Sequence, residues 1–366
     1  MYILIMLLDK NIVNTSNFRG RGVQTSIDNG LSKHHLEHFW DGSYFDEDFF
    51  VADDKTKHTP TYPKTILNRI NNPDMGPEWS MNPYQGCEHG CVYCYARITH
   101  EYWGYNAGLD FEKNILYKSN AAELLEHKLQ CKSWKGEKIT LSGNTDCYQP
   151  TEQKLKITRQ LLEVCLKYNQ SVVIITKNAL VCRDIDILKK MAANGLVEVC
   201  ISITTLNEDL RRAIEPRTSS SENKLKVIRT LSEHGIPVGV LLAPIILGLN
   251  SDEIFKICEA ASNAGASFMN HTLLRLNGTT ALLFENWIHK TFPLKASRVL
   301  HQIAETQGGS LNKDDASNRR KKFSAIGQAI HQQVRLAKNK YQLNKARQKI
   351  TPLKLGIKQT PQLNLF

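Results

Sequence analysis

The sequence predicts an α/β fold in which parallel strands and helices alternate to form an open or partial barrel of about six βα units. Two continuous apolar runs, residues 171–176 and 197–203, are typical of strands that are buried on both faces. Amphipathic segments lie between such runs, and Gly195 and Gly235 follow two of them where a helix commonly ends. Strands and helices that alternate in this way form parallel, right-handed units.

The elements of this barrel can be placed in order along the chain. The predicted strands cover residues 137–142, 171–176, 197–203, 236–243 and 267–274, with one more near a cluster of cysteines. The predicted helices cover residues 152–168, 184–194, 221–234 and 251–264. A count of about six units fits an open or partial barrel better than a doubly wound sheet.

The length of 366 residues fits one large domain or two smaller ones. We predict an irregular extension over residues 1–76, which wraps the body and is not a domain of its own. The barrel core follows over residues 77–275. Residues 276–366 form a basic region with helices over residues 287–289, 295–306 and about 320–349, and they end in the peptide Gln362-Leu363-Asn364-Leu365-Phe366.

The positive charge is concentrated at the C-terminal end. The formal net charge is +11, from 47 Lys and Arg against 36 Asp and Glu. Residues 310–366 hold 13 of the basic residues and only two acidic ones, so the rest of the chain is nearly neutral. A basic arm predicts contact with nucleic acid or another polyanion, and a solvated amphipathic tail is the alternative.

Composition excludes several classes of protein. The hydrophobic content of 41% excludes a chain that is disordered throughout, and nine cysteines are too few for a secreted disulfide miniprotein. The apolar run over residues 1–8 is far shorter than the ~20 residues that a membrane span needs, and it lacks the features of a signal peptide. We therefore expect a cytoplasmic protein without membrane contact, in which clustered cysteines bind metal or act in catalysis.

Three cysteines, Cys87, Cys91 and Cys94, form the most specific motif in the sequence. They are separated by three and two residues, and Gly86 and Gly90 allow tight turns between them. Three thiolates on an iron–sulfur cluster leave one iron open for a chelating ligand. Zinc bound by these cysteines with His89 is the alternative, although structural zinc usually takes two separated pairs of ligands.

This C-x3-C-x2-C loop resembles that of the radical S-adenosylmethionine (SAM) superfamily. Further motifs follow in order over residues 77–275 and resemble the branch of spore photoproduct lyase and the "DNA repair photolyase" homologues. They are Tyr93-Cys94-Tyr95, Thr176-Lys177, Ile201-Ser202-Ile203, Glu215-Pro216-Arg217-Thr218-Ser219-Ser220 and Ala243-Pro244-Ile245. The resemblance implies a partial (β/α)6 barrel that holds a [4Fe–4S] cluster on Cys87, Cys91 and Cys94. It also implies that SAM bound to the open iron is cleaved reductively to a 5′-deoxyadenosyl radical.

The resemblance also implies roles for individual residues. Lys177 and Ser202 match positions that bind the carboxylate of SAM, and Thr145 and Asp146 match positions that hold its ribose hydroxyls. Solvated or turn-forming side chains are the alternatives, since Gly143-Asn144-Thr145-Asp146 is also good turn sequence. The three catalytic candidates are the cofactor-contacting or hydrogen-relaying tyrosines and a thiol: Tyr93, Tyr95 and Cys147.

One departure from the family puts the lyase reaction in doubt. The hydrogen-donating cysteine of the lyase matches Gly143 here, whereas Cys147 lies one residue after Asp146. A cysteine at a strand end is also a common inert core residue. Whether Cys147 replaces the missing thiol is therefore left open by the sequence.

The terminal peptide Gln362-Leu363-Asn364-Leu365-Phe366 resembles the short segments by which bacterial DNA-processing proteins dock on the replication sliding clamp. A hydrophobic tail that docks on its own chain is the alternative. The sequence thus predicts a lyase-like or modifying radical SAM enzyme that acts on DNA or another nucleic acid in repair or modification. An electron-donor protein is expected to reduce its cluster. Two other functions stay open: the same chemistry on a protein or small molecule, and a non-enzymatic metal-binding module for nucleic acid.

Overall fold

A computed structural model of the protein describes residues 20–25, 27, 55–72, 76–312 and 324–344. The strands in these ranges are β1 Lys57–Thr61, β2 Leu67–Asn72, β3 Gly76–Met81, β4 Tyr84–Gln85, β5 Asn114–Lys118, β6 Ile139–Leu141, β7 Val172–Thr176, β8 Val197–Ser202, β9 Val238–Ile245 and β10 Phe268–Leu273. The α-helices are α1 Leu109–Lys113, α2 Ala121–Gln130, α3 Glu152–Leu155, α4 Ile157–Lys167, α5 Ile185–Ala193, α6 Glu208–Ile214, α7 Ser221–Glu233, α8 Ile254–Asn263, α9 Gly278–Thr291, α10 Pro293–Thr306 and α11 Ala325–Lys340. Short 3-10 helices span Tyr95–Trp103, Ala179–Asp184 and Ser251–Glu253.

The larger sheet has seven strands in the order β10-β9-β8-β7-β6-β3-β2. Every neighbouring pair from β3 to β10 is parallel, and β2 joins β3 antiparallel. The six parallel strands confirm the predicted α/β class, and the separate edges at β2 and β10 make the sheet an open, partial barrel.

The strands are buried on both faces, as their continuous apolar sequences predict. One face of the sheet packs against the surrounding helices in the main core, where Ile174 and Ile201 meet Leu188 and Ile228. The other face forms a smaller cluster in which Val173 and Cys200 contact Phe268. Ser202 follows Cys200 by two residues on this second face, so it lies at the carboxyl end of β8 on the inside of the barrel.

Several predicted bounds change in the structure. The helix predicted over residues 152–168 is two helices, because Lys156 between α3 and α4 has a left-handed φ of 54°. The predicted irregular extension contains β1 and β2, whose polar sequences lack the alternation that marks a strand. The predicted 320–349 helix ends at Lys340.

A second sheet of three strands, in the order β1-β5-β4, lies next to the cysteines. β4 is only two residues long and leads directly into Gly86. β5 pairs with β4 antiparallel, and with β1 parallel. This small sheet therefore connects the chain before the cysteine loop to the rest of the body.

The C-terminal region packs onto the barrel within the described residues. Side chains on one face of α11, such as Ile330 and Val334, are buried in the main core. After α11 the chain turns, and Asn344 forms an antiparallel bridge with Phe268 of β10. The basic residues after Asn344 and the terminal peptide Gln362–Phe366 lie outside the described residues. In the described ranges, no helix is long and apolar enough to cross a membrane.

The fold makes a prediction at the contact between β9 and β10. A Cβ at Gly239 would lie 2.3 Å from the Phe268 ring, and its backbone is not left-handed. We expect Gly239→Ala to lower the free energy of unfolding by ~2 kcal/mol, because a filled core resists added volume. Urea denaturation followed by circular dichroism measures this change in the free energy of unfolding. In the Phe268→Leu background the same glycine change should cost clearly less, and an equal cost in both backgrounds would contradict the steric cause.

Candidate functional site

The cysteine loop, residues 86–94, runs from β4 to the 3-10 helix Tyr95–Trp103. Gly86 and Gly90 have left-handed φ values of 79° and 66°, which allow the chain to turn twice within the loop. The thiols of Cys87, Cys91 and Cys94 are all free of disulfides. Cys87 and Cys91 are buried, and Cys94 is partly exposed as a residue.

Backbone and side-chain hydrogen bonds hold the loop, which has no strand or helix of its own. Cys87 donates its N–H to the Phe111 carbonyl at 2.8 Å, and Val92 donates to the Ile214 carbonyl at 3.1 Å. The Gln149 side chain accepts from the Glu88 N–H at 2.9 Å and donates to the Gly86 carbonyl at 3.1 Å. Parts of the chain far apart in sequence thus fix the positions of the three thiols.

The electrostatic surroundings of the three thiols oppose their ionisation in the protein alone. Burial raises the pKa of Cys87 and Cys94, and the charges of neighbouring thiolates and Asp146 raise the pKa of Cys87 further. Three cations oppose this effect, since Arg97 lowers the pKa of Cys94, and Lys177 and Lys224 lower that of Cys91, which burial and Glu215 raise. Three thiolates close together are stable only with positive charge among them, which a bound metal cluster provides.

The donor set fits an iron–sulfur cluster better than a single zinc ion. The His89 ring lies 3.4 Å from the Asp146 carboxylate and 3.3 Å from the Asn178 amide, and it does not join the thiols. In the part of the chain that the structure describes, no three His, Cys, Asp or Glu side chains surround one ion position. Without His89, three thiolates are one ligand short of a four-coordinate zinc ion, whereas they suit a cluster that keeps one iron open.

Lys177 lies just beyond the carboxyl end of β7 and reaches across the end of β8. Its Nζ is 2.7 Å from Ser202 Oγ and 3.3 Å from the Ala243 carbonyl. Although burial opposes the charge, the neighbouring Glu215 carboxylate raises the pKa of Lys177 above its usual range. The structure therefore brings the two predicted carboxylate-binding residues, Lys177 and Ser202, into direct contact.

Glu215 is the fully buried carboxylate at the centre of this group. It lies 3.0 Å from the Lys177 ammonium and 3.1 Å from the Lys224 ammonium, and it accepts hydrogen bonds from Tyr93 and Thr204. Burial alone would raise its pKa, but the two lysines bring the pKa of Glu215 well below its usual range. Lys177, Lys224 and Glu215 together carry one positive charge beside the cysteine loop, although burial lowers the pKa of Lys224. The carboxylate of Asp146, which accepts the Lys177 N–H, lies next to this group and offsets that charge.

The other predicted cofactor residues have protein partners. Asp146 accepts hydrogen bonds from Thr176 Oγ1, from the Lys177 N–H and from the Tyr148 N–H, each at 2.8 Å. Thr145 is buried and donates to the Tyr84 carbonyl at 2.7 Å. These bonds tie the segment after β6 to β4 and to the end of β7.

The catalytic candidates are divided between two sides of the sheet. Tyr93 is buried and donates to Glu215, while Tyr95 is half exposed and donates to the Gly143 carbonyl. Cys147 instead lies fully buried in the main core, and its N–H is bonded to Ser142 Oγ. The structure thus places Tyr93 in the cysteine loop and Tyr95 directly after it, whereas the Cys147 side chain is buried in the main core.

The sequence analysis assigned no role to Glu215 or Lys224. Glu215 stood in a quoted motif, directly before Pro216. The spacing of Lys224 indicates that it is buried, because it lies on the same face of α7 as the buried residues Val227, Ile228 and Leu231. A lysine in an apolar helix face needs a buried partner, and Glu215 is that partner.

Comparisons with known proteins agree with this site. The model of the radical SAM superfamily matches residues 81–261. "Uncharacterized protein Rv2578c" of Mycobacterium tuberculosis is 30% identical over 238 residues, which cover 64% of this chain and 70% of that protein. "Uncharacterized protein MJ0683" of Methanocaldococcus jannaschii is 33% identical over 171 residues, which cover 47% of this chain and 61% of that protein.

Among solved structures, spore photoproduct lyase complexed with dinucleoside spore photoproduct superimposes with a TM-score of 0.54 at 14% identity. The match covers 78% of this chain and 79% of the lyase. A variant of the lyase with bound AdoMet and dinucleoside spore photoproduct gives a TM-score of 0.53 with the same coverage. At this low identity, the likeness concerns the fold.

The buried charges predict how the site responds to losing its carboxylate. We expect Glu215→Gln to lower the free energy of unfolding by ~3 kcal/mol, because two buried ammonium groups then face each other without compensation. Urea denaturation of the metal-free protein measures this change. Adding Lys224→Met should recover part of the loss, since it removes one of the two cations.

Glu222→Gln is the matched control for this prediction. Glu222 lies on the same helix, α7, and pairs with Lys226 at 2.7 Å, but its side chain is 77% exposed. We expect its replacement to change the free energy of unfolding by less than ~0.5 kcal/mol. Equal effects of the two substitutions would show that Glu215 does not stabilise the site by charge.

Proposed function

We propose that this chain, which belongs to the radical SAM superfamily, is an enzyme that binds a [4Fe–4S] cluster and S-adenosylmethionine and acts on nucleic acid. The three cysteines of the loop are the proposed ligands of the cluster. The observation that carries the proposal is the buried, positively charged group of Lys177, Glu215 and Lys224 directly beside those thiols. The ammonium of Lys177, held next to Ser202 Oγ at 2.7 Å, is a charged donor suited to an anionic ligand.

The carboxylate of S-adenosylmethionine is the proposed anion. When bound, the cluster supplies one electron that cleaves the cofactor to methionine and a 5′-deoxyadenosyl radical. Lys177 Nζ and Ser202 Oγ, 2.7 Å apart, offer adjacent donors for the carboxylate at the open end of β7 and β8. Glu215 holds the lysine in place, so that the ammonium does not have to be ordered when the ligand arrives.

Other residues of the chain shape the surroundings of the cofactor. Tyr93 is buried with its hydroxyl on Glu215, and so it covers the inner side of the cysteine loop and excludes water there. We assign the ribose hydroxyls to the turn of Thr145 and Asp146, whose protein bonds hold it rigid beside Lys177. Tyr95 is half exposed at the same opening and faces the proposed substrate.

Nucleic acid is the proposed substrate class on two grounds. The exposed side of α11 carries Arg335 and Lys340 next to the edge strand β10. The lyase of similar fold was solved with a dinucleoside photoproduct.

A thymine-dimer lyase reaction is not proposed, because Gly143 stands where the lyase has its hydrogen-donating cysteine and Cys147 is in the main core. Repair or modification of a nucleotide by another route is the proposed reaction class, with an electron-donor protein as a partner.

Cofactor cleavage is the first test. The protein is reconstituted with iron and sulfide without oxygen, reduced with dithionite and given S-adenosylmethionine, and 5′-deoxyadenosine is measured. We expect product from the wild type and none from Cys91→Ala. Lys177→Met should keep its iron but bind S-adenosylmethionine at least ~10-fold more weakly, because it loses a charge-assisted bond to the carboxylate.

Lys190→Met is the control for the lysine, since Lys190 is an exposed residue at the end of α5. It should leave cofactor affinity unchanged. Iron uptake without cleavage by the wild type would contradict the enzymatic part of the proposal. Zinc uptake in place of iron would favour a metal-binding module.

Nucleic-acid binding is the second test, with a labelled duplex DNA of mixed sequence as the probe. Replacing Arg335 and Lys340 with Gln should weaken binding about tenfold and reduce the slope of log K against log salt by about 1–2, because two phosphate contacts are lost. The matched control replaces Lys189 and Lys190 of α5, both exposed, with Gln. No binding by the wild type at low salt would favour a protein or small-molecule substrate. The sliding clamp remains a predicted partner of residues 362–366.

A further inference from the structure

A short N-terminal segment lies directly on the cysteine loop. We call residues 20–27 the strap; the structure describes all of them except residue 26. Arg21, Val23 and Thr25 are each less than 5% exposed, and Val23 and Ile27 are in the same apolar cluster as Cys91. The strap includes the last three residues of the alternating sequence Arg19-Gly20-Arg21-Gly22, to which neither the fold nor the proposed function assigns a role.

The contact between strap and loop is a backbone contact between two glycines. A Cβ at Gly22 would lie 1.6 Å from the Gly90 carbonyl oxygen, so no side chain fits there. A Cβ at Gly90 would in turn lie 2.7 Å from Glu112 Oε2 and 3.2 Å from the Gly22 N–H. The strap backbone therefore covers the loop at the position directly before Cys91.

Glu112 connects the two segments. Its buried carboxylate accepts the Gly22 N–H at 2.9 Å and the Val23 N–H at 3.1 Å. It also pairs at 2.5 Å with Arg97, which is fully buried. Arg97 then donates through Nε to the Cys91 carbonyl at 3.0 Å. Hydrogen bonds and one ion pair, through Glu112 and Arg97, thus connect the strap to the backbone of Cys91, a proposed cluster ligand.

We propose that the strap is a positioning element of the cluster site, which fixes the Cys91 segment and shields its outer face from water. The Glu112 carboxylate is buried away from water, and the strap amides and Arg97 supply the hydrogen bonds and the charge that stabilise it. Each of these groups therefore depends on the others for its position. The proposal concerns the cluster ligands alone and does not depend on the substrate. Loss of the strap contact therefore exposes the cysteines even in the metal-free protein.

Hydrogen exchange on the unmodified full chain tests the coupling. Peptides that cover residues 20–27 and 86–94 are compared by mass spectrometry with and without reconstituted cluster, in the absence of oxygen. We expect the strap amides to be protected from exchange in the metal-free protein and to gain protection together with the loop on cluster loading. Free exchange of the strap in both states would overturn the proposal.

Thiol accessibility tests the same proposal by substitution. In the metal-free protein, Gly22→Val should raise the rate of Cys91 alkylation by iodoacetamide at least ~10-fold, because the strap has to leave Gly90. The reconstituted variant should also lose its visible absorbance in air faster than the wild type. Gln24→Val is the matched control: it places the same side chain at a partly exposed position of the strap and removes one hydrogen bond, from the Gln24 amide to the Arg21 carbonyl at 3.1 Å. Its rates should exceed those of the wild type by less than ~3-fold, because it leaves the contact between Gly22 and Gly90 intact.

Two measurements separate this proposal from others. Circular dichroism shows whether Gly22→Val keeps the secondary structure of the wild type; if it does not, Gly22→Ala, with the smaller side chain, replaces it. An unchanged alkylation rate in a folded Gly22 variant would overturn the proposal. If the wild type takes up no iron, the proposed function fails, whereas alkylation and exchange of the metal-free chain still decide whether the strap holds the loop.

Discussion

The buried carboxylate of Glu215 is the constraint on which the site depends. A carboxylate without water is costly unless charged or hydrogen-bonding partners surround it, and here they come from four parts of the chain. Lys177 follows β7, Thr204 follows β8, Tyr93 belongs to the cysteine loop and Lys224 to α7. Because the Glu215 side chain contacts all four of these residues, the carboxyl ends of the central strands and the cysteine loop cannot shift independently. The position of Lys177 beside Ser202 follows from this network.

The cysteine loop is held on opposite sides by two carboxylates. Glu215 contacts Tyr93 on the inner side, and Glu112 holds Arg97 and the strap on the other. A loop of this kind has no repeating hydrogen bonds, so each buried N–H and carbonyl needs a particular partner from elsewhere. Gly90 allows the strap to approach because it has no side chain. The loop therefore owes its shape to contacts that are distant in sequence.

Much of the barrel could be predicted from the sequence, because its strands are continuous apolar runs and its helices have a clear apolar face. The cysteine spacing likewise drew attention to the loop that the structure places against Glu215 and the strap. The sheet of β1, β5 and β4 could not be predicted, since two of its strands are short or polar and form only through pairing with each other. The partners of Thr145 and Asp146, the core position of Cys147 and the role of Glu112 depend on tertiary contacts, which local spacing does not record.

In the described part of the C-terminal region, α11 and the residues that follow it up to Asn344 form part of the barrel wall. β10 is an edge strand, and an uncovered edge invites pairing with other chains. α11 packs against β10, and the chain after it pairs with Phe268, where Met269 donates to the Leu343 carbonyl at 3.0 Å. The side chains of His271 and His331 join strand and helix at 2.6 Å. These contacts hold the basic side of α11 at a fixed position beside the open edge of the barrel. A polyanion bound there is oriented by the fold itself, whereas a flexible arm would only raise its local concentration.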